Sequence, residues 1–137
     1  MKIIISGSMA SSKDMVAVEE SLKALRHEVT LPKFTRNYAT LDNVDGLLAE
    51  STKEKIEHDL IHDYFEEIKI HDVLLVVNID RKGIKGYIGG NSFLEMGFAF
   101  ILHKPLYLLN EIPNVSYRDE IEAMMPIVLN GDLSKIT

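Results

Sequence analysis

Five consecutive apolar residues, Val73-Leu74-Leu75-Val76-Val77, lie between Asp72 and Asn78 with no polar residue among them. A strand with one wet face alternates apolar and polar side chains. A continuous run of this length instead reads as a strand buried on both faces, and such strands belong to parallel sheets covered by helices on each side. The opening run Lys2-Ile3-Ile4-Ile5-Ser6 has the same character. His27 to Leu31, closed by Pro32, reads as a further strand, as do Pro105 to Leu109 and Pro126 to Leu129. Helical patterns fall between them. Met15, Val18, Leu22 and Leu25 follow three- and four-residue steps, and so do Ile56, Leu60, Ile61, Phe65 and Ile68. Phe93 to His103 is apolar nearly all round, and Arg118 to Met125 reads as a short helix. Ser11 with Asp14, and Ser51 with Glu54, have capping-box spacing at two helix starts. Lys33 to Glu50 has no clean period and reads as a flap or a short helix. Strands alternate with helices throughout. The expected class is therefore α/β, a single-domain flavodoxin/Rossmann-like three-layer sandwich with a parallel sheet of about five strands. No repeat or linker divides residues 1–137.

Composition narrows the function. Hydrophobic residues make up 46% of the 137 and charged residues 26%, an ordinary globular usage. A chain this long buries roughly 70% of its unfolded surface without a staple. With no cysteine, disulfides, zinc–thiolate sites, iron–sulfur clusters and thiol nucleophiles are excluded. The net charge of −6, without a basic tail, argues against nucleic-acid polymers or an anionic membrane as partners. No apolar run approaches the ~20 residues that cross a bilayer. The expectation is a soluble cytoplasmic protein.

In open parallel sheets, ligands bind outside the carboxyl ends of the strands where strand order reverses. If the order is of the flavodoxin type, the loops there are Gly7 to Ser12, which includes Ser8 and Met9, and Asn78 to Ser92. Both are rich in Gly, Ser and Asn and lead into helix N-termini, whose free N–H groups attract anions. Short βα turns need Gly and Ser in any case. The second loop is longer than the usual two to six residues of such a turn and holds half of the eight glycines between Gly83 and Gly90. Glu95 falls in the first turn of the apolar helix that follows. Two readings stay open for it. It is a capping-box partner of Ser92, three residues before, or it is a functional carboxylate, since a buried one is costly unless paired or used.

The run Gly89-Gly90-Asn91-Ser92-Phe93-Leu94-Glu95-Met96-Gly97-Phe98-Ala99, followed by Lys104-Pro105 and a strand, resembles the nucleoside 2-deoxyribosyltransferases. It equally resembles their relatives, the 2-deoxynucleoside 5-phosphate N-hydrolases. The opening strand ending in Gly7-Ser8 extends the resemblance over most of the chain, so residues 1–137 read as one nucleoside deoxyribosyltransferase-like domain. Gly89 to Glu95 is also similar to a loop of the cytokinin-activating phosphoribohydrolases, which likewise act on N-glycosidic bonds. The resemblance implies that Glu95 attacks the anomeric carbon of a deoxyribosyl group to form a covalent ester. It implies a general acid on the preceding helix, for which Asp63 is the nearest candidate and Asp80 a rival. Asn91 and Ser92, with the glycine loops, would cradle the sugar or phosphate. No cofactor is implied, because the ester carries the chemistry. Relatives pair sites across dimers, which implies a homo-oligomer, a dimer or larger, acting on a small-molecule nucleoside or nucleotide.

The chain departs from that pattern at two positions. The family has Tyr in the first strand where Ile4 stands, and Tyr87 from the loop is the candidate replacement. The family's Asp or Ser six residues before the Glu is Gly89, which leaves free-nucleoside and phosphate-bearing substrates both open. Backbone N–H groups of Gly7, Ser8, Gly89 and Gly90 can still hold a phosphate. These departures sustain an alternative, a non-catalytic nucleotide-sensing module of the same fold. A flavin carrier is weaker, because only Tyr87 offers an aromatic flank on the loop. His58 and His62 have metal-ligand spacing but no third ligand, so no metal is expected. Lys85 reads as a surface lysine, Phe34 and Tyr38 as packing or base-stacking residues, and Phe93, Phe98 and Phe100 as core or an oligomer face.

Overall fold

The computed structural model describes residues 1–40 and 59–137. Five strands among them form one parallel sheet: β1 (Lys2–Ser6), β2 (Glu28–Thr30), β3 (Val73–Val76), β4 (Leu106–Leu108) and β5 (Ile127–Val128). Their order is β2-β1-β3-β4-β5, the doubly wound arrangement. Ile3 pairs with both Val29 and Val73, and Ser6 with Val76, so β1 is a central strand. Five α-helices accompany the strands in these residues, α1 (Ser12–Ala24), α2 (Thr35–Ala39), α3 (Leu60–Ile70), α4 (Gly90–Ile101) and α5 (Arg118–Ala123), with 3-10 turns at Met9–Ser11 and Leu133–Lys135.

The unbroken apolar strands do what their pattern requires. Ile3, Ile5, Val73 and Leu75 face one side, where Met15, Val18 and Leu22 of α1 cover them. Ile4, Leu74, Val76 and Leu108 face the other, under Tyr64 and Ile68 of α3, Met96 and Ala99 of α4 and Ile121 of α5. Burying each such side chain contributes about 1.5–3 kcal/mol, which makes the central strands the anchor of both layers.

Several expected details differ. α1 begins at Ser12, and Ser11 makes no side-chain cap; Ser12 Oγ donates to Met9 O at 2.6 Å instead. Leu25 ends that helix exposed rather than in the core. On α3 the buried stripe is Tyr64 and Ile68, while Ile61 is exposed and Phe65 half-buried against Phe98. α4 begins at Gly90, three residues before the expected Phe93. Leu94, Phe100 and Ile101 leave it exposed on one side rather than covered nearly all round. The Ser51–Glu54 box, Ile56 and His58 lie outside the described residues.

Two sets of polar contacts tie these helices to their neighbours. Buried Glu19 of α1 accepts two 2.6 Å hydrogen bonds from Arg36, which ties α2 to α1. Buried His71, after α3, meets Thr30 Oγ1 of β2 at 2.8 Å through Nε2 and Glu67 O at 2.5 Å through Nδ1.

Candidate functional site

The strand order reverses between β1 and β3, and a cavity of about 800 Å³ opens there. That volume suits a small organic ligand. Gly7, Ser8 and Met9 line it from the first loop, and Tyr87, Gly89, Gly90 and Asn91 from the second. Gly7 has a packing reason to be glycine: a Cβ there would stand 2.8 Å from Met15 Sδ and 3.3 Å from Val77 O. Phe34, Leu31 and Pro32 give the cavity an apolar wall. Phe34 holds a left-handed backbone (φ 69°), which for an aromatic residue costs roughly 1–2 kcal/mol and needs a well-determined surrounding.

Glu95 lines the same cavity while only 7% exposed. Because α4 starts at Gly90 with Gly89 as its cap, Glu95 falls in the second turn, not the first. The capping-box reading is therefore corrected: Ser92 lies inside the helix and caps nothing. Its hydroxyl is 3.1 Å from Ser6 Oγ, and Ser6 Oγ donates to Glu95 Oε1 at 2.5 Å. Asn91 Nδ2 stands 3.5 Å from Oε2. The carboxylate is thus buried, hydrogen-bonded and in contact with a ligand-sized space.

Asp63 reaches the cavity from α3 but is exposed at its rim. The next residue, Tyr64, turns inward instead. Its hydroxyl donates to the carbonyl of Ile5 and its ring lines the cavity. Burial, then the nearby Glu95 and Glu67 carboxylates, push the Tyr64 phenol well above its ordinary 10. It therefore stays protonated as the unfolded chain ionises. Stability from this group is complete below pH ~10 and declines as pH rises beyond it, because the unfolded state releases the proton first. Urea unfolding from pH 9 to 11 should show that alkaline loss, and Tyr64→Phe should show less of it.

Asn78, Asp80 and Ser92 do not line the cavity among the described residues. Asn78 is buried and acts as a brace. Its Nδ2 lies within hydrogen-bond reach of Gly86 O, Asn110 O and Glu111 O (2.9–3.2 Å), and its Oδ1 accepts from Asn110 N at 2.9 Å. Asp80 Oδ1 accepts from Gly86 N at 2.9 Å, so this carboxylate holds the loop together. Gly86 (φ +63°) is packed so closely that a Cβ would stand 2.4 Å from Glu111 O. Lys82 and Gly83, both left-handed, make a tight two-residue turn between Arg81 and Ile84. The long loop is therefore ordered by its own polar residues, a role that spacing alone does not distinguish from ligand binding.

Sequence reasoning passed over Ser6 and Tyr64. Ser6 was visible as the one polar side chain closing the run Ile3-Ile4-Ile5, and Tyr64 as the residue midway between Leu60 and Ile68 at helical spacing. Ile4, where the resemblance leads one to look for a hydroxyl, is fully buried in the α3/α4 layer, and the hydroxyl against Glu95 comes from Ser6. Arg81, Lys82 and Lys33 also line the cavity, opposite in charge to Asp63, Glu66, Glu67 and Glu95. Lys82 Nζ lies 5.3 Å from the Tyr87 ring centre. Lys85 is exposed and Tyr38 buried, and neither lines the cavity. Phe93 packs on Tyr117 and Phe98 on Phe65, with centroids 4.8 and 5.1 Å apart. His62 is exposed and 3.0 Å from both Asp59 oxygens. Among the described residues no group of three or more His, Asp or Glu is arranged for a metal ion, and no helix is long and apolar enough to cross a membrane.

The doubly wound parallel sheet with its crevice between β1 and β3 defines a familiar class of α/β fold. A solved structure of a 2-deoxyribosyltransferase from the psychrotolerant bacterium Bacillus psychrosaccharolyticus shares it. The two are 22% identical with a TM-score of 0.56, over 93% of this chain and 98% of that one. At that identity the likeness establishes the fold. No protein-family model matches the chain, and no curated protein matches it.

Proposed function

We propose that this protein cleaves or exchanges the N-glycosidic bond of a deoxynucleoside or deoxynucleoside 5-phosphate, with Glu95 as nucleophile. The observation that carries this reading is a buried, hydrogen-bonded carboxylate on the wall of a ligand-sized cavity at the switch point of the sheet. The shared fold with an enzyme named 2-deoxyribosyltransferase supports it.

A lone pair of the Glu95 carboxylate bonds to the anomeric carbon while the carbon–nitrogen bond breaks. The electron pair of that bond leaves with the base, which takes up a proton. Asp63, at the cavity rim, is the side chain assigned to deliver that proton or to bind a sugar hydroxyl. Water, or a second base, then attacks the same carbon and frees the carboxylate. Asn91 and the backbone N–H groups of Gly7, Ser8, Gly89 and Gly90 are assigned to the sugar and any phosphate, with Tyr87 beside them. Asp80 and Asn78 act at one remove, by holding the loop that carries Gly89 and Gly90.

The test is incubation with a panel of deoxynucleosides and their 5-monophosphates, with and without an acceptor base, read by chromatography. Free or exchanged base from at least one member is expected. No base from any member, under conditions where a 2-deoxyribosyltransferase works, rejects the reading. The second reading, nucleotide binding without turnover, draws on the exposure of Asp63 and the engagement of Asp80 in the loop. Calorimetry that finds tight binding of a deoxynucleotide, with no base released, selects it.

A further inference from the structure

We propose that Ser6 is the positioning residue of this site: its hydroxyl holds Oε1 of Glu95 and so turns Oε2, on the Asn91 side, toward the anomeric carbon. The inference rests on the reading of Glu95 as nucleophile given above, but its geometry stands apart from any substrate.

Ser6 is fully buried and is the last residue of β1. Its backbone is fixed from both sides. The carbonyl accepts from Val77 N at 2.8 Å, and the carbonyl of the preceding Ile5 accepts from the Tyr64 hydroxyl. A glutamate side chain has three rotatable bonds, and its carboxylate gains direction only from what it touches. Here a rigid central strand supplies that contact at 2.5 Å, within the range of a charge-assisted bond between a hydroxyl and a carboxylate. The Ser6 hydroxyl has one hydrogen, so donating it to Oε1 makes the 3.1 Å contact with Ser92 a bond donated by Ser92. Ser92 precedes Glu95 by three residues on α4, so the chain Ser92–Ser6–Glu95 joins helix to strand and holds the carboxylate on one side. Oε2, on the Asn91 side, is then the oxygen that forms the bond to carbon as the base departs. Fixing the attacking atom in this way removes orientational freedom that a free carboxylate would lose in the transition state.

Two substitutions separate positioning from bulk structure. Ser6→Ala and Ser92→Ala each delete one buried hydroxyl, but only the first removes the hydroxyl that donates to Oε1 of Glu95. The carboxyl of Glu95 is followed by carbon-13 NMR against pH in protein labelled at glutamate, without any ligand. Losing a donor disfavours the charged form. The Glu95 midpoint should therefore move up in Ser6→Ala and stay near the native value in Ser92→Ala. Asp63, Tyr64, Glu66 and Glu67 of α3, Arg81, Lys82 and Tyr87 of the loop, and Lys33 line the same cavity and are common to all variants, so the difference isolates Ser6. Ser6→Cys, close in volume and a weaker donor, should fall between, and it decides the matter if Ser6→Ala does not fold. With a turned-over deoxynucleoside, Ser6→Ala should lower kcat by roughly 10- to 100-fold with KM within about twofold. An unmoved midpoint in Ser6→Ala, or equal shifts in both alanine variants, overturns the proposal. A moved midpoint in a protein that turns over nothing upholds the contact and rejects the nucleophile reading instead.

Discussion

Glu95→Gln should reduce base release from the best substrate by on the order of 10³-fold or more, while the protein stays folded. The substitution keeps side-chain length and an oxygen acceptor for Ser6, so the buried contact at Oε1 retains a partner. It removes the charge and the nucleophilic lone pair. An amide oxygen cannot form the sugar ester, and no other carboxylate among the described residues combines burial with a place on the cavity wall: Asp63 is exposed, and Asp80 is engaged with Gly86. The measurement is a chromatographic rate assay beside a thermal melt. Activity within tenfold of the native protein, with an unchanged melt, would falsify the role given to Glu95. Collapse of the melt instead would mean that the carboxylate serves the fold, and Ser6→Ala should then be equally destabilising.

Asn78→Asp should destabilise the protein by about 3 kcal/mol or more, the largest effect expected away from the cavity wall. Asn78 is 1% exposed, and its amide nitrogen faces three carbonyl oxygens: Gly86, Asn110 and Glu111. An aspartate is nearly the same shape but brings a buried negative oxygen against those three acceptors and has no hydrogen to give them. Asn78→Ala, which leaves the carbonyls and the Asn110 N–H unpaired without adding charge, should cost about 1–3 kcal/mol. Urea unfolding midpoints at pH 7 order the two variants. Aspartate less harmful than alanine would show that the site tolerates the charge and that the brace is not what holds the loop. Because this loop leads to Gly89 and Gly90 at the start of α4, turnover should fall along with stability.

The architecture was legible because its signals are local. A run such as Val73 to Val77 can be buried on both faces only in a covered parallel sheet, and the alternation of such runs with helical periods leaves few arrangements. The observed order β2-β1-β3-β4-β5 puts the crevice where glycine-rich loops follow β1 and β3. Boundaries were less legible. Gly90, Asn91 and Ser92 are poor helix formers, so their propensity argues for loop. The fold overrides it: Gly89 caps the helix and Phe93 N donates to Gly89 O at 2.9 Å. That shift of three residues puts Glu95, expected in the first turn, in the second, and it removes the capping-box reading of Ser92 and Glu95. Likewise, Asn78 and Asp80 had the residue types of a ligand site, and nothing in their spacing says whether they face a cavity or the loop's own backbone.

By itself, the chain of residue types determined the class of fold, the two loops at the switch point and the acidic residue worth watching, since each depends on periods and neighbours within a dozen positions. The tertiary structure alone decided that Ser6 meets Glu95, that Tyr64 rather than Asp63 turns inward, and that Asp80 serves the loop. Ser6 and Glu95 are 89 residues apart. What brings them within 2.5 Å is the register of β1 beside β3 and the packing of α4 upon β3 and β4, and no local pattern encodes that distance.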